Sequence, residues 1–350
     1  MAPRASVVVP VYNVEDCLEW CLESLRAQTL EDIEVIAVND GSTDGSREVL
    51  ARCAEADPRI RIIDKENGGL SSARNAGIRA ASAPIVCFLD SDDRLTPNAC
   101  ERIVRAFEEG GPRTDVVTFG ANCYPVEAAY PWLEEHLSPR DVVYDPFAPE
   151  LLFEEMSRPF AWRTACRTDF LRDGALLFDE GLRFGEDQVF HFAIYPRARR
   201  TVLISDKLYD YRVAREGSLM AKVASDPVRK MTEHVPIMAA IFADWDEAGL
   251  IDAYGSQLVA EYADFALLGI LGLGEGERER LRGPAAAVLR AHFDEGALTA
   301  LDLAPATRAI VEAFLGEGPV SSGRARWLQL AYYRQQRGWR AIAGRLLGRR

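Results

Sequence analysis

Three carboxylates crowd the segment CFLDSDDRL, residues 87–95, straight after an apolar run. Val86, Cys87, Phe88 and Leu89 read as a strand that ends in Asp90, Ser91, Asp92 and Asp93. Side chains on a strand repeat every two residues, so Asp90 and Asp92 are expected to point the same way. Two carboxylates on one side repel unless a hard cation joins them, and Mg²⁺ or Mn²⁺ readily takes phosphate oxygens as further ligands. Such an ion stabilises negative charge on a departing diphosphate. D-x-D alone reads equally as a solvated loop; its place at a strand end, beside three other loops, gives it weight.

Those loops depend on the elements that carry them. SVVVPV (6–11), IEVIAV (33–38), RIRIID (59–64), PIVCFLD (84–90) and DVVTFG (115–120) are short, β-branched apolar runs, as expected of strands covered on both faces. Helical stretches separate them at 14–27, 44–56, 71–82 and 96–109, two of them opening on STDGS and TPN caps. The alternation predicts an α/β fold with a doubly wound, mostly parallel sheet, whose ligands bind beyond the carboxyl ends of the strands. PVYN, NDGSTDGS, KENGGLSSARN and DSDD occupy those ends. PVYN has no glycine, so neither a G-x-G-x-x-G dinucleotide turn nor a P-loop follows the first strand. Residues 121–160 read as a loop-rich insertion. Residues 161–220 read as a helix over EDQVFHFAIYPRA, a strand at TVLIS and a loop through YDYRVAREGSLM. From 224 to 350 the three-and-four periodicity predicts a helical C-terminal domain.

Composition narrows the class. With 350 residues, 48% of them hydrophobic, the chain can bury one large core and a second, smaller one. No run of eighteen apolar residues occurs, and MAPRASVVVPVYN lacks the pattern of a signal peptide, so a cytoplasmic protein is expected. Seven cysteines without a C-x-x-C pair point to reduced thiols, and Cys17 and Cys21 read as one helix face. A net charge of −13 argues against nucleic acid as a partner.

The order and spacing of SVVVPVYNVEDCLEWCLESLRAQT, IEVIAVNDGSTDGS, NGGLSSARNAGI and IVCFLDSDD resemble the nucleotide-sugar half of the family 2 glycosyltransferases, which have the GT-A fold. The resemblance covers residues 5–120 and continues more weakly through GEDQVF to YRVAREGSL. It implies a nucleotide-sugar-binding half at 1–120 and an acceptor and catalytic half at 121–223. By resemblance, Pro10, Val11, Tyr12 and Asp40 hold base and ribose, uracil suiting an Asp acceptor. Asn67, Gly69, Arg74, Asp90 and Ser91 complete the donor site, with Asp92 as metal ligand and Asp90 beside it.

FGEDQVFHF resembles the family's E-D-x-x-F segment, implying Asp187 as the base of an inverting transfer and Glu186 as the neighbour that orients base or acceptor. His191, four residues on, reads as a packed residue. Arg212, Arg215 and Ser218 match a segment that closes on the diphosphate. AWRTACR departs from the family by having Thr164 where a Lys is expected; it leaves Trp162 and Arg163 as acceptor candidates. Q-x-x-R-W is missing, so a non-processive enzyme is implied, acting on a hydroxyl of a cell-surface glycan, a polyol-phosphate polymer or a lipid-linked acceptor. No His follows in REGSLM to complete a metal shell, so water and diphosphate would do so. A catalytically silent nucleotide-sugar-binding subunit of a surface-polymer assembly is the alternative.

Residues 318–350 carry eight arginines and no acidic residue. On a helix, Leu328, Tyr332, Trp339, Ile342 and Leu346 share one stripe, with Arg326, Arg334, Arg337 and Arg340 broadly opposite. An interfacial helix on anionic membrane fits this pattern. Docking on the protein's own acidic surface, or on a second subunit in a homo-oligomer, fits it as well and is the simpler expectation.

Overall fold

A computed structural model describes residues 2–155, 157–213 and 226–346, with side chains of the last helix up to residue 336. The chain divides into two compact units, residues 1–216 and 217–350. Among the described residues of the first, nine strands form one sheet: β1 (Ala5–Val11), β2 (Ile33–Asp40), β3 (Ile60–Lys65), β4 (Ile85–Phe88), β5 (Arg94–Leu95), β6 (Val116–Tyr124), β7 (Val142–Tyr144), β8 (Thr164–Arg167) and β9 (Thr201–Arg212). They run in the order β3-β2-β1-β4-β8-β6-β9-β5, with β7 also on β9. The helices are α1 (Glu15–Arg26), α2 (Ser46–Ala56), α3 (Leu70–Ala80), α4 (Ala99–Gly110), α5 (Pro131–His136), α6 (Glu150–Phe153), α7 (Thr168–Asp173) and α8 (Glu186–Ile194).

The apolar runs are strands as expected, but RIRIID is not covered on both faces: β3 ends the strand order and only Ile60 of it is buried. All of β1 and β4 is buried, and β3, β2, β1 and β4 pair in parallel. The antiparallel β8 separates β4 from β6, with Ala165 and Cys166 wholly buried. The C-terminal part of β9 departs from expectation. YDYR, expected to open a loop, instead completes a twelve-residue strand, parallel to β6 and antiparallel to β5. Two of its polar groups are satisfied locally: Asn122 donates to Asp210 at 3.0 Å, and the Arg212 backbone N–H donates to Asp93 at 2.7 Å. A pairing that satisfies polar groups locally removes the penalty that would otherwise push them into solvent.

The close seating of α3 on β1 requires Gly77. A β-carbon there would lie 2.2 Å from Val8 Cγ1, inside any real contact distance. Glycine therefore lets the helix backbone approach the sheet, and Arg74 rides on the turn before it.

The second unit is helical, as predicted. Its helices are α9 (Pro227–Glu247), α10 (Ile251–Tyr262), α11 (Leu268–Leu271), α12 (Glu275–His292), α13 (Glu295–Ala300), α14 (Pro305–Leu315) and α15 (Ser322–Leu346), with a π-helical turn at Ala263–Leu267. Ile237, Ile241, Phe242, Trp245, Leu258, Tyr262 and Phe314 form its core. The terminal helix docks here along the described part of its stripe. Leu328 and Tyr332 are buried, Tyr332 donates to Asp264 at 2.9 Å, and Gln335 accepts from the Ala306 N–H. The side chains of Trp339, Ile342 and Leu346 lie outside the described residues.

Candidate active site

Arg74 joins two loops that are distant in sequence. From the second turn of α3 its guanidinium donates to Asp90 Oδ1 at 2.7 Å and to Glu186 Oε1 at 2.9 Å. The side chain is buried and packs over the Phe178 ring, 5.1 Å from its centroid. Phe178 stacks on Phe190 of α8 at 4.0 Å, and both meet Phe88 of β4 edge-on. Asn75 adds two bonds to the Phe178 backbone. The aromatic cluster and Asn75 thus hold α3, the end of β4 and the start of α8 in one arrangement around Arg74. Burial pushes the Arg74 pKa down, but Asp90 and Glu186 outweigh it and raise the net value.

The acidic pair at the head of α8 follows from a Gly185 turn with φ 73° and from the preference of helix N-termini for negative charge. Glu186 is buried, and burial, followed by the charge of Asp187, pushes its carboxyl up to about 7 against the pull of Arg74. Asp187 is the more open of the two. Burial raises its pKa too, while its carboxylate accepts from the Phe160 N–H at 2.9 Å and from the Gln188 N–H at 2.8 Å. Phe160 sits at φ 78°, a left-handed conformation strained for a bulky residue. It is held there by packing on Trp162 and Tyr211, at 5.1 and 5.7 Å between ring centroids.

Of the carboxylates after β4, Asp93 does structural work. It is buried, accepts from Tyr209 Oη at 2.7 Å and from the Arg212 N–H, and so ties the turn to β9. Burial, then the charges of Asp92 and Asp90, raise its pKa well above the usual carboxylate range. Asp90 and Asp92 are half-buried and Ser91 is buried. Hard oxygens and crowded negative charge at this turn fit Mg²⁺ or Mn²⁺. Among the described residues no group of three or more His, Cys, Asp or Glu could hold an ion by itself. The shell of an ion at Asp92 and Asp90 would therefore draw on water and phosphate oxygens as well.

The nucleotide loops lie at the ends of β1, β2 and β3. Pro10 and Val11 are buried at the end of β1, and Tyr12 stands 49% exposed beyond it. Asp40, nearly inaccessible at the end of β2, accepts from Lys65 Nζ at 2.5 Å and from the N–H groups of Gly68 and Gly69 at 3.0 and 2.8 Å. The φ of 88° at Gly69 is a glycine conformation and turns that N–H onto the carboxylate. Asn67 donates to the Asp40 carbonyl at 3.0 Å.

Three expectations need correction or fall outside these residues. Arg163 is wholly buried and donates to the backbone carbonyls of Phe119 and His136, and burial lowers its pKa to about 10; it braces the core and offers nothing to an acceptor. Trp162 is buried as well, stacked on Tyr209 at 4.0 Å and on Tyr211 at 5.3 Å, so it backs the site rather than facing it. Arg215 and Ser218 lie outside the described residues. Sequence reasoning missed Lys65, Phe160, Phe178 and Tyr209. The alternation of LYDYR was the one signal for Tyr209; the others had none. His191 is packed as expected: buried, bonded to Thr164 Oγ1 at 3.0 Å, its pKa lowered by burial to about 3.

Comparison with known proteins agrees with this geometry. Residues 6–165 match the profile described as Glycosyl transferase family 2. The chain is 38% identical over 216 residues to the uncharacterized glycosyltransferase EpsJ of Bacillus subtilis, covering 61% of this chain and 62% of EpsJ, so it spans less than two thirds of that relative. It is 31% identical over 230 residues to glycosyltransferase GlyG of Streptococcus pneumoniae, covering 63% of this chain and 74% of GlyG. The minor teichoic acid biosynthesis protein GgaB of Bacillus subtilis is 32% identical over 225 residues, 63% of this chain and 24% of GgaB. Among solved structures, S. aureus TarS 1–349 in complex with UDP-GlcNAc superposes with a TM-score of 0.75 at 21% identity, covering 95% of this chain and 92% of that one. That likeness is one of fold. Profile, relatives and architecture together place the chain in glycosyltransferase family 2, with the GT-A fold.

Proposed function

We propose that the protein is a metal-dependent, inverting, non-processive glycosyltransferase that moves a sugar from a uridine diphosphate donor to a hydroxyl of a cell-envelope glycan, wall polymer or lipid-linked acceptor. The observation that carries this reading is the Arg74 bridge, which sets the donor-side Asp90 and the acidic pair Glu186 and Asp187 around one buried cation. A complex of TarS with UDP-GlcNAc and the printed role of GgaB in minor teichoic acid biosynthesis support the donor and the class of acceptor.

In this reading Asp187 removes the acceptor proton as the hydroxyl oxygen attacks the anomeric carbon. The new glycosidic bond forms as the bond to the diphosphate breaks, and the configuration inverts. Glu186 is engaged by Arg74, which leaves Asp187 as the base, and Glu186 orients it through the shared helix turn. Arg74 sets positive charge beside Asp90, which offsets part of the repulsion between the carboxylates and an incoming diphosphate. A divalent ion at Asp92 and Asp90, when bound, stabilises the charge of the leaving diphosphate. Pro10, Val11, Tyr12, Asp40, Asn67 and Gly69 receive the nucleoside, and Ser91 its phosphate side. Asp40 would exchange its bonds to Gly68, Gly69 or Lys65 for a base N–H. Among the described residues no helix is long and apolar enough to cross a membrane. The reading puts the enzyme at the cytoplasmic face of the envelope.

Thermal denaturation with UDP, GDP and CDP, each with and without Mn²⁺, tests the donor half. A ligand at 100 times its Kd stabilises by about 2.7 kcal/mol. UDP with Mn²⁺ should give the largest rise in Tm, and Asp92→Ala should abolish the metal-dependent part; equal shifts with chelator present contradict the reading. A catalytically silent subunit would give the same shifts without turnover.

A further inference from the structure

Arginines of the first unit are typically paired: Arg59 with Asp57, Arg102 with Asp206, Arg199 with Asp115 and Arg200 with Asp145. Arg94 and Arg212 depart from this. Among the described residues neither guanidinium has a hydrogen-bond acceptor, and Arg212 Nε is buried without one. Both lie instead over one indole, their Cζ atoms 4.9 and 4.4 Å from the ring centroid of Trp20 in α1. The exposed Tyr124 ring stands 5.6 Å from the same indole. β5 and β9 pair antiparallel at Arg94 and Asp210, and the Arg212 N–H is fixed on Asp93. Two cations thus lie over one ring, at the strand ends next to the DSDD turn.

Stacking on an aromatic face holds a guanidinium in place and leaves its N–H edge available for bidentate bonds to a phosphate. Two guanidinium groups over one ring carry like charge, and an anion bound by both would offset their repulsion. In the strand order, β1, β2 and β3, which carry the nucleotide loops, lie on one side of β4, and β9 and β5 lie on the other. The cations therefore flank the metal turn on the side away from the nucleoside.

The geometry points to an anion subsite, made by Arg94 and Arg212 on Trp20, that takes a phosphate of the acceptor and selects a phosphate-bearing polyol or glycan over a neutral one. This assignment rests on the transferase reading and deepens it. It moves the Arg212 guanidinium, by resemblance a donor contact, to the acceptor side.

The test uses the full chain saturated with UDP and Mn²⁺, so that the nucleotide site is filled, titrated calorimetrically with a synthetic glycerol-phosphate trimer and with glycerol. The trimer should bind and glycerol should not. Arg94→Gln should weaken trimer binding roughly tenfold, the loss of one charge-assisted bond, and Trp20→Leu should do the same while Trp20→Phe, which keeps an aromatic face, retains it. Unchanged affinity in Arg94→Gln overturns the assignment. So does trimer binding that appears only without UDP, which would return the cations to the donor diphosphate. If UDP itself fails to bind, the transferase reading fails; the subsite is then judged by whether Arg94→Gln weakens the trimer on the nucleotide-free chain.

Discussion

Arg74 and Glu186 are 112 residues apart in the chain, yet a guanidinium N–H of one lies 2.9 Å from a carboxylate oxygen of the other, both buried. Removing one partner of such a pair leaves an uncompensated buried charge, at a cost of about 3–5 kcal/mol. Arg74→Ala should lower stability by that order, and turnover with it. Arg74→Lys should keep part of the stability but lose turnover, because an ammonium cannot reach Asp90 and Glu186 with the same fork. Chemical denaturation and initial rates on both variants check this; Arg74→Lys with normal turnover contradicts it.

The Glu186 carboxyl is raised from its ordinary 4.5 to about 7. A raised acid pKa means that the folded state binds the proton more tightly than the unfolded chain. The resulting stability is fully present below pH 4.5 and is lost as pH rises through about 7. Glu186→Gln removes that loss. The difference in Tm between Glu186→Gln and the parent chain should therefore shift in favour of the variant from pH 4.5 to pH 8, and two parallel Tm profiles would refute the assignment.

Gly77→Ala places a methyl group 2.2 Å from Val8 Cγ1. Overpacking of this kind typically costs about 1–3 kcal/mol. Since Arg74 lies one turn earlier on α3, its position over Phe178 should shift and turnover should fall. A second change, Val8→Ala, makes room and should recover part of both. No recovery in the double variant would mean that the helix is not seated by this contact.

Tyr209 binds both ends of the DSDD turn, donating to Asp93 and accepting from the Asp90 N–H. Tyr209→Phe should cost about 1–3 kcal/mol, because it leaves buried partners unsatisfied. It should also weaken the response of Tm to Mn²⁺ in the presence of UDP. A variant with unchanged metal response would separate the brace from the metal turn.

Much of this arrangement was legible before any coordinates. Burial on both faces made the runs around Val8, Ile36 and Val86 unmistakable, and the motifs SSARN, DSDD and GEDQVF named Arg74, Asp90 and Glu186, which meet in the fold. What was not legible depends on contacts made through space. Asp93 looks identical to Asp92 in DSDD, and only Tyr209, 116 residues on, separates their roles. Lys65 shows no local sign that it holds Asp40. Trp162 and Arg163 were acceptor candidates only by resemblance to a Trp-x-Lys-like stretch of the family; the turn that leads into β8 is buried instead. YDYR was hidden by its charges, of which Asp210 finds a partner in Asn122 of β6.

Asp187→Asn tests the account most directly, because it keeps the shape of the side chain and its bond from the Phe160 N–H while removing the base. With a UDP-sugar and acceptor, turnover should fall by about 10²–10⁴-fold, the usual contribution of a general base, while UDP-sugar affinity measured by calorimetry stays that of the parent chain. Turnover retained at the parent level would show that Asp187 does not take the proton.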